Sequence, residues 1–552
     1  MPRKPQTSAR QRARTGPRLL AASATGVAIF CALPLLAVVA AAVSADTETL
    51  RHLMDTVLGR YAAATLALVV LVGLGSFLIG TGAAWLVVMT EFPGRRLFEI
   101  LLVLPLAFPA YVLAYAYTHL LDHPGVVQTG LRAMTGWGPR DYWFPEVRSL
   151  EGAAAMLTLV LYPYVYLLAR AAFLSQSSTA FIAARALGLT PLRAFLRVSL
   201  PMARPAIAAG VLLAAMETIA DFGTVSYFGV QTFATGIFTS WFSMADRAAA
   251  AQLALGLLAF ALLLALSERF ARGGARYDAK RRADIPARLK LGRGGITLAL
   301  VLCAMPVLAG VVIPVLALTT MALGSEQDIL SRRYTGFVTN SLTLALCAAL
   351  LTVSAAVLIG SRQRMAPGQG AALTLHIARL GYAVPGGVIA VGLLVPFAAF
   401  DNAVDAAMRA WFDLSTGLLF TGSIWLLVGA YMIRFLAAAL GAYEGGIAAI
   451  SPSVDAASRT LGRGMVGTIA RVHVPLMQPS LLTAGLIVFV DVMKELPATL
   501  IMRPFNFDTL AVQAHRLASD ERLEGAAVPS LIIVGLGALP VALLIRRMRR
   551  AG

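Results

Sequence analysis

The chain has 552 residues, is 58% hydrophobic and only 13% charged, and carries a formal net charge of +18; its mean hydropathy is +0.76. Water could not solvate such a surface, so an ordinary soluble domain is excluded and the bilayer is the expected solvent. The positive charge does not point to nucleic acid, because it gathers at the two ends and in certain loops, as membrane topology requires.

In chain order, Arg3, Lys4, Arg10, Arg12, Arg14 and Arg18 open the sequence with no acid among them. The positive-inside rule places this end in the cytoplasm. Apolar runs of roughly 18 residues or more predict spanning helices, and they fall at 19–43, 61–90, 97–120, 153–173, 203–222 and 249–266. The first run is longer than the roughly 7 to 15 apolar residues of a signal peptide, so a retained helix is favoured over cleavage after the "VSA" that precedes Asp46. The segment between the third and fourth runs balances its charges and reads as an outside loop. Within it, "HLLDH" sets His119 and His123 one helical turn apart with Asp122 between them. That spacing can hold a metal, although a hard ion would prefer oxygen ligands.

A strongly basic linker follows, "RFARGGARYDAKRRADIPARLKLGRGG", and then a second set of runs at 296–318, 337–360, 380–400, 418–440, 480–500 and 527–545, closed by the basic tail "IRRMRR". Both ends and the midpoint are therefore expected inside. The predicted fold is an all-α integral membrane protein of about 12 transmembrane helices, built as two homologous six-helix halves. The expected division is a basic tail at 1–18, a first half at 19–267, a cytoplasmic linker at 268–293, a second half at 294–546 and a tail at 547–552. Cys31, Cys303 and Cys347 all fall in apolar spans and suggest neither a disulfide framework nor a metal cluster.

Each half carries a polar loop after its fourth span, "IAARALGLTPLRAFLRVSLP" and "ASRTLGRGMVGTIARVHVP". Aligning Gly188 with Gly462 places Arg185 on Arg459, Val198 on Val472, Leu200 on Val474 and Pro201 on Pro475 without a gap. A short helix, a turn at the glycine and a second helix are predicted, with the prolines opening the following spans. A mere connector has no reason to keep this spacing twice, whereas a surface that fits the same partner twice does. No G-x-x-x-x-G-K-[ST] phosphate loop occurs in the sequence, so any ATP-driven motor must be another chain.

These loops resemble the EAA loop of permease subunits in binding-protein-dependent ABC transporters. Ala183, Ala184, Gly188, Val198, Leu200 and Pro201 meet that pattern, as do Ala457, Gly462, Val472, Val474 and Pro475. Ile182 and Ala456 stand where the family has glutamate, and Ser458 replaces the last alanine. The stretches "EFPGRRLFEILLVLPLAFPAYVLAYAY", "ETIADFGTVSYFGVQTFATGIF" and "DVMKELPATLIMRPFNFDTLA" look like the fused, double-length permeases of ferric-iron importers. The resemblance implies a multi-pass protein of the bacterial inner membrane. Two cytosolic ATPase subunits would grip the loops and carry the ATP and magnesium, leaving this chain without a cofactor and not itself an enzyme. A periplasmic binding protein would deliver ferric iron, and nucleic acid is no partner. Thiamine and phosphonate importers have similar permeases. A major-facilitator transporter also has two six-helix halves, but it leaves the repeated loop unexplained.

The fifth spans hold two acid pairs, Glu217 with Asp221 and Asp491 with Glu495, at equal distances past the loop prolines. A four-residue step puts each pair on one helical face. Intramembrane acids usually face a bundle interior or a pathway, so the pairs are candidate linings of a route for a hard cation, with Lys494 able to neutralise one of them. Tyr111 and Tyr115 share a face of the third span, where packing is favoured over a pathway role. Gly73, Gly75, Gly80 and Gly82 are expected to let helices approach closely.

Overall fold

The computed structural model describes residues 7–45, 47–176, 178–272, 288–328 and 331–551. Arg3, Lys4, Asp46 and most of the basic linker lie outside the described residues. Apart from a two-residue parallel pairing of Thr90–Glu91 with Leu289–Lys290, the regular structure of the described residues is helical. Among the described residues ten helices are long and apolar enough to cross a membrane, or up to 12 if each of two bent pairs is one span.

Two expected spans are corrected. The run 97–120 is broken between Arg95–Ala107 and Ala110–Thr135 with a 95° bend, where Pro105 and Pro109 remove backbone donors and Phe108 and Pro109 are extended. In the second half the run 480–500 is cut short, because the helix Gln478–Met493 stops before Lys494; a 79° bend separates that helix from Met465–Leu476, ahead of the expected span. Hydropathy reports burial in lipid and is blind to direction, so a continuous apolar run conceals the break at 108–109 and the early helix end at Met493.

The chain forms two compact units, and these cut it differently from the sequence repeat. One unit comprises Met1–Thr49, Asp246–Leu255 and Leu330–Thr509. In it the helix Thr7–Ser44 packs on Arg332–Met365, Gln369–Leu380 and Gly386–Phe412. Phe30 meets Phe397 edge-on at 6.4 Å, and a Cβ on Gly429 would stand 2.8 Å from the Phe30 ring, so that glycine admits the aromatic. Arg362 donates to the carbonyl of Ala21 at 3.1 Å and to the Thr25 hydroxyl at 2.6 Å.

The other unit comprises Leu50–Ala245, Gly256–Ile329 and Leu510–Gly552. Its centre is the pairing of Gly59–Met89 with Leu150–Ser175. Here Gly80 serves as expected: an added Cβ would stand 2.8 Å from both the carbonyl of Tyr162 and the amide of Tyr166. Gly75 is equally constrained, by Thr158 at 2.7 Å, whereas Gly82 has nothing within 4 Å and needs no such account. Tyr111 and Tyr115 are buried, and the Tyr115 hydroxyl lies 3.2 Å from Nδ1 of His515. Cys31 and Cys303 are buried and free.

Candidate functional site: two matched polar loops

Each polar loop is held within one unit, and the two repeat one another bond for bond. In the first, the helix Ser178–Ala186 ends on Gly188, whose φ of +87° lies in the left-handed region. Leu187 N donates to Ala183 O at 3.0 Å, Gly188 N to Arg185 O at 3.0 Å and Leu189 N to Ala184 O at 3.2 Å. In the second, Pro452–Thr460 ends on Gly462 at φ +78°. The matching bonds run from Leu461 N to Ala457 O at 3.1 Å, Gly462 N to Arg459 O at 3.0 Å and Arg463 N to Ser458 O at 3.1 Å. A left-handed residue just past a helix, with its neighbour's amide reaching back to the last turn, is the glycine C-cap that satisfies otherwise orphaned carbonyls.

Past the turn, Thr190 caps Pro191–Ala194 through its hydroxyl, while Gly464 opens Met465–Thr468. Both second helices then widen into a π-turn, at Phe195–Ser199 and Ile469–His473. The prolines follow these turns. Pro201 stands in the first turn of the spanning helix Leu200–Ala220, as expected, directly after the π-turn, whereas Pro475 stands in the short helix Val474–Leu476, ahead of the break before Gln478–Met493. Val198, Leu200, Val472 and Val474 are half-buried around these turns.

The loop tips are apolar and open. Leu187 is 86% exposed and Leu461 78%, at matching positions before the glycine, and Leu192 and Val466 repeat the match after it at 61% and 59%. Arg185 turns back to its own loop, donating to Leu189 O at 2.6 Å, and Arg459 does likewise to Asp455 O at 3.3 Å. Ala183 and Ala457 are exposed, while Ala184 and Ser458 face inward; the Ser458 hydroxyl is 2.8 Å from that of Thr468. Two exposed leucines on rigid, capped turns cost solvation energy in isolation, and a protein partner would recover it.

His473 is buried with its Nε2 at 2.6 Å from an Asp455 carboxylate oxygen. The other Asp455 oxygen accepts from Arg364 Nε at 2.8 Å. Sequence reasoning named no partner for His473 and missed Arg364.

The four acids divide into two kinds. Asp221 accepts from the amides of Thr224 at 3.0 Å and Val225 at 3.2 Å and from the Thr224 hydroxyl at 3.1 Å, capping Gly223–Tyr227. Glu495 accepts from the amides of Ala498 at 2.9 Å and Thr499 at 3.1 Å and from the Thr499 hydroxyl at 2.7 Å, capping Pro497–Met502. It also pairs with Arg434 at 3.3 Å. Asp491 pairs with Lys494 at 3.0 Å, and Glu217 is half-buried in the last turn of Leu200–Ala220. At "HLLDH", Asp122 pairs with Arg148 at 3.2 Å and accepts from the amide of His123 at 2.8 Å. Among the described residues no three His, Cys, Asp or Glu side chains are grouped to hold a metal.

Residues 76–273 match the family model described as the inner membrane component of binding-protein-dependent transport systems. Over 93% of the chain and 95% of the relative, the sequence is 26% identical to the Fe(3+)-transport system permease protein FbpB 2 of Haemophilus influenzae. It is 24% identical to a protein of Sinorhizobium fredii named as an ABC transporter permease, over 82% of the chain and 81% of the relative. The molybdenum transport system permease protein ModB of Escherichia coli is 29% identical over 34% of this chain and 82% of its own length.

Proposed function

We propose that this chain, whose residues 76–273 match the inner membrane component of binding-protein-dependent transport systems, moves ferric iron across the bacterial inner membrane as the permease subunit of an ABC importer. Both ends and both polar loops face the cytoplasm. Two ATPase subunits dock there, each taking one capped turn with its exposed leucine, and they bind the ATP and magnesium. A periplasmic binding protein delivers iron to the opposite face. The observation that carries this reading is the repetition of one turn, hydrogen bond for hydrogen bond, with Leu187 and Leu461 presented alike.

Iron is favoured over the other substrates on two grounds. The ferric relative aligns over nearly the whole double-length chain, whereas the molybdenum relative aligns over a third of it. Carboxylates also suit a hard trivalent cation by ligand type. Glu217 and Asp491 are the acids proposed for the pathway, while Asp221 and Glu495 cap short helices.

The test is reconstitution in vesicles with the ATPase subunit and binding protein of the same system. ATP-dependent accumulation of labelled ferric iron is the expected result, and Leu187→Asp with Leu461→Asp should release the ATPase. Uptake of molybdate or a phosphonate in place of iron would overturn the substrate; ATPase retention by the double variant would overturn the docking surface.

A further inference from the structure

The two loops share a backbone but not an anchor. In the register that aligns Gly188 with Gly462, the positions of Arg364, Asp455 and His473 are filled by Thr90, Phe181 and Ser199. The first loop is attached mainly by apolar contact, with one neutral hydrogen bond from Gln176 Nε2 to Ser199 O at 2.9 Å. Phe181 is buried, Phe195 lies 4.9 Å from Trp85 and 6.1 Å from Phe173, and the Thr90 hydroxyl donates to Leu86 O in its own helix.

The second loop is attached by charge. Asp455 is 7% exposed and His473 1%. The carboxylate takes His473 Nε2 on one oxygen and Arg364 Nε on the other, and Arg364 Nη2 donates to Ile450 O at 2.9 Å, just ahead of the loop helix. Arg364 lies in the last turn of Arg332–Met365. The triad thus joins both legs of the loop to the end of one long helix. Beside it, Tyr443, Ile447, Ile450 and Met477 form a small buried core, and the Tyr443 hydroxyl is 3.0 Å from that of Ser361 on the same long helix. Burial raises the Asp455 pKa, but the bonds from His473 and Arg364 outweigh it and hold the carboxyl below its ordinary range.

Apolar contact is non-directional and allows one surface to slide on another. Charge-assisted hydrogen bonds fix distance and direction. We infer that Asp455 is a positioning residue which, through Arg364 and His473, ties the second loop rigidly to the helix Arg332–Met365, so that loop displacement is delivered directly to that helix. Among the described residues the first loop is held by apolar packing and one neutral hydrogen bond, from Gln176 Nε2 to Ser199 O at 2.9 Å, with no ion pair to match the triad, and the two ATPase contacts are mechanically unequal. This rests on the reading of the loops as ATPase contacts.

The experiment uses the full chain with its ATPase subunits and binding protein in vesicles, and measures ATPase retention, ATP hydrolysis and iron taken up per ATP. Asp455→Asn should retain the ATPase while uptake per ATP falls about 2- to 30-fold, the range for residues that modulate coupling between sites. Asp455→Glu, which can keep both bonds, should recover part of the loss. Should Asp455→Asn fail to fold, the triple variant Arg364→Thr, Asp455→Phe, His473→Ser supplies the first loop's own anchor in place of buried charge. It too should bind the ATPase and transport fewer ions per ATP. A wild-type ratio in either variant overturns the inference and leaves the docking reading standing. Failure of the unmodified chain to retain an ATPase sinks both.

Discussion

Replacing Gly462 by valine isolates the turn from its surroundings. The glycine sits at φ +78°, and an added Cβ would meet nothing within 4 Å. Steric collision with neighbours is therefore absent, and the cost is that of forcing an L-residue into the left-handed region, about 1–2 kcal/mol. A β-branched side chain belongs at the upper end of that range or above it. A free energy of this size lowers occupancy of the native turn by about 5- to 30-fold. Gly188, at φ +87° and equally open, should respond alike. In vesicles, Gly462→Val and Gly188→Val should insert normally and lower the melting temperature by no more than that local cost, yet lose uptake and the stimulation of ATP hydrolysis by loaded binding protein. Asn, which enters the left-handed region more readily, should be milder than valine at both positions. Full uptake in both valine variants, or equal effects of asparagine and valine, would refute the claim that the left-handed turn carries the coupling.

Gly80→Ala should lower the melting temperature in detergent by the equivalent of about 1–3 kcal/mol, because its Cβ would press on backbone atoms that cannot rotate away; Gly82→Ala should change little and serves as the paired control. Asp221→Ala should cost about 0.5–2 kcal/mol through loss of its cap, visible as faster amide exchange over 223–227, with Asp221→Asn closer to the wild type. Neutralising Glu217 to Gln and Asp491 to Asn together should reduce iron uptake at matched protein level, and unchanged uptake would remove these acids from the pathway. Since the folded pKa of Asp455 lies below its unfolded value, the stability it lends is present above the unfolded carboxylate value of about 3.9 and is lost as pH falls through the folded value. Proteolysis of 452–475 should therefore rise only in strong acid and not between pH 6 and 8, a profile that Asp455→Asn should flatten.

Membrane class, helix content and the repeated loop could all be read from the chain, because hydropathy and a glycine-to-proline register are local properties. Direction and partnership could not. The run 97–120 is apolar throughout, and only Pro105 and Pro109 hinted at the 95° bend. The helix Thr7–Ser44 offers no sequence sign that it packs with 330–509 rather than with its neighbours in the chain. The capping acids were legible in principle: Asp221 and Glu495 precede Thr224 and Thr499 by three and four residues at the ends of helices, the placement of a carboxylate that serves backbone amides. Their depth in an apolar span drew attention to ions instead. Arg364, far from the loop in sequence, could be linked to Asp455 only through the fold.

The packing of the first helix sets a problem of timing during synthesis. Thr7–Ser44 enters the bilayer early, yet its partner Gly386–Phe412 begins roughly 340 residues later, which at ribosomal rates of about 5–20 residues per second is a wait of about 20–70 s. Through that interval the part of its buried face that Gly386–Phe412 will cover, with Phe30 on it, meets lipid or a chaperoning insertase.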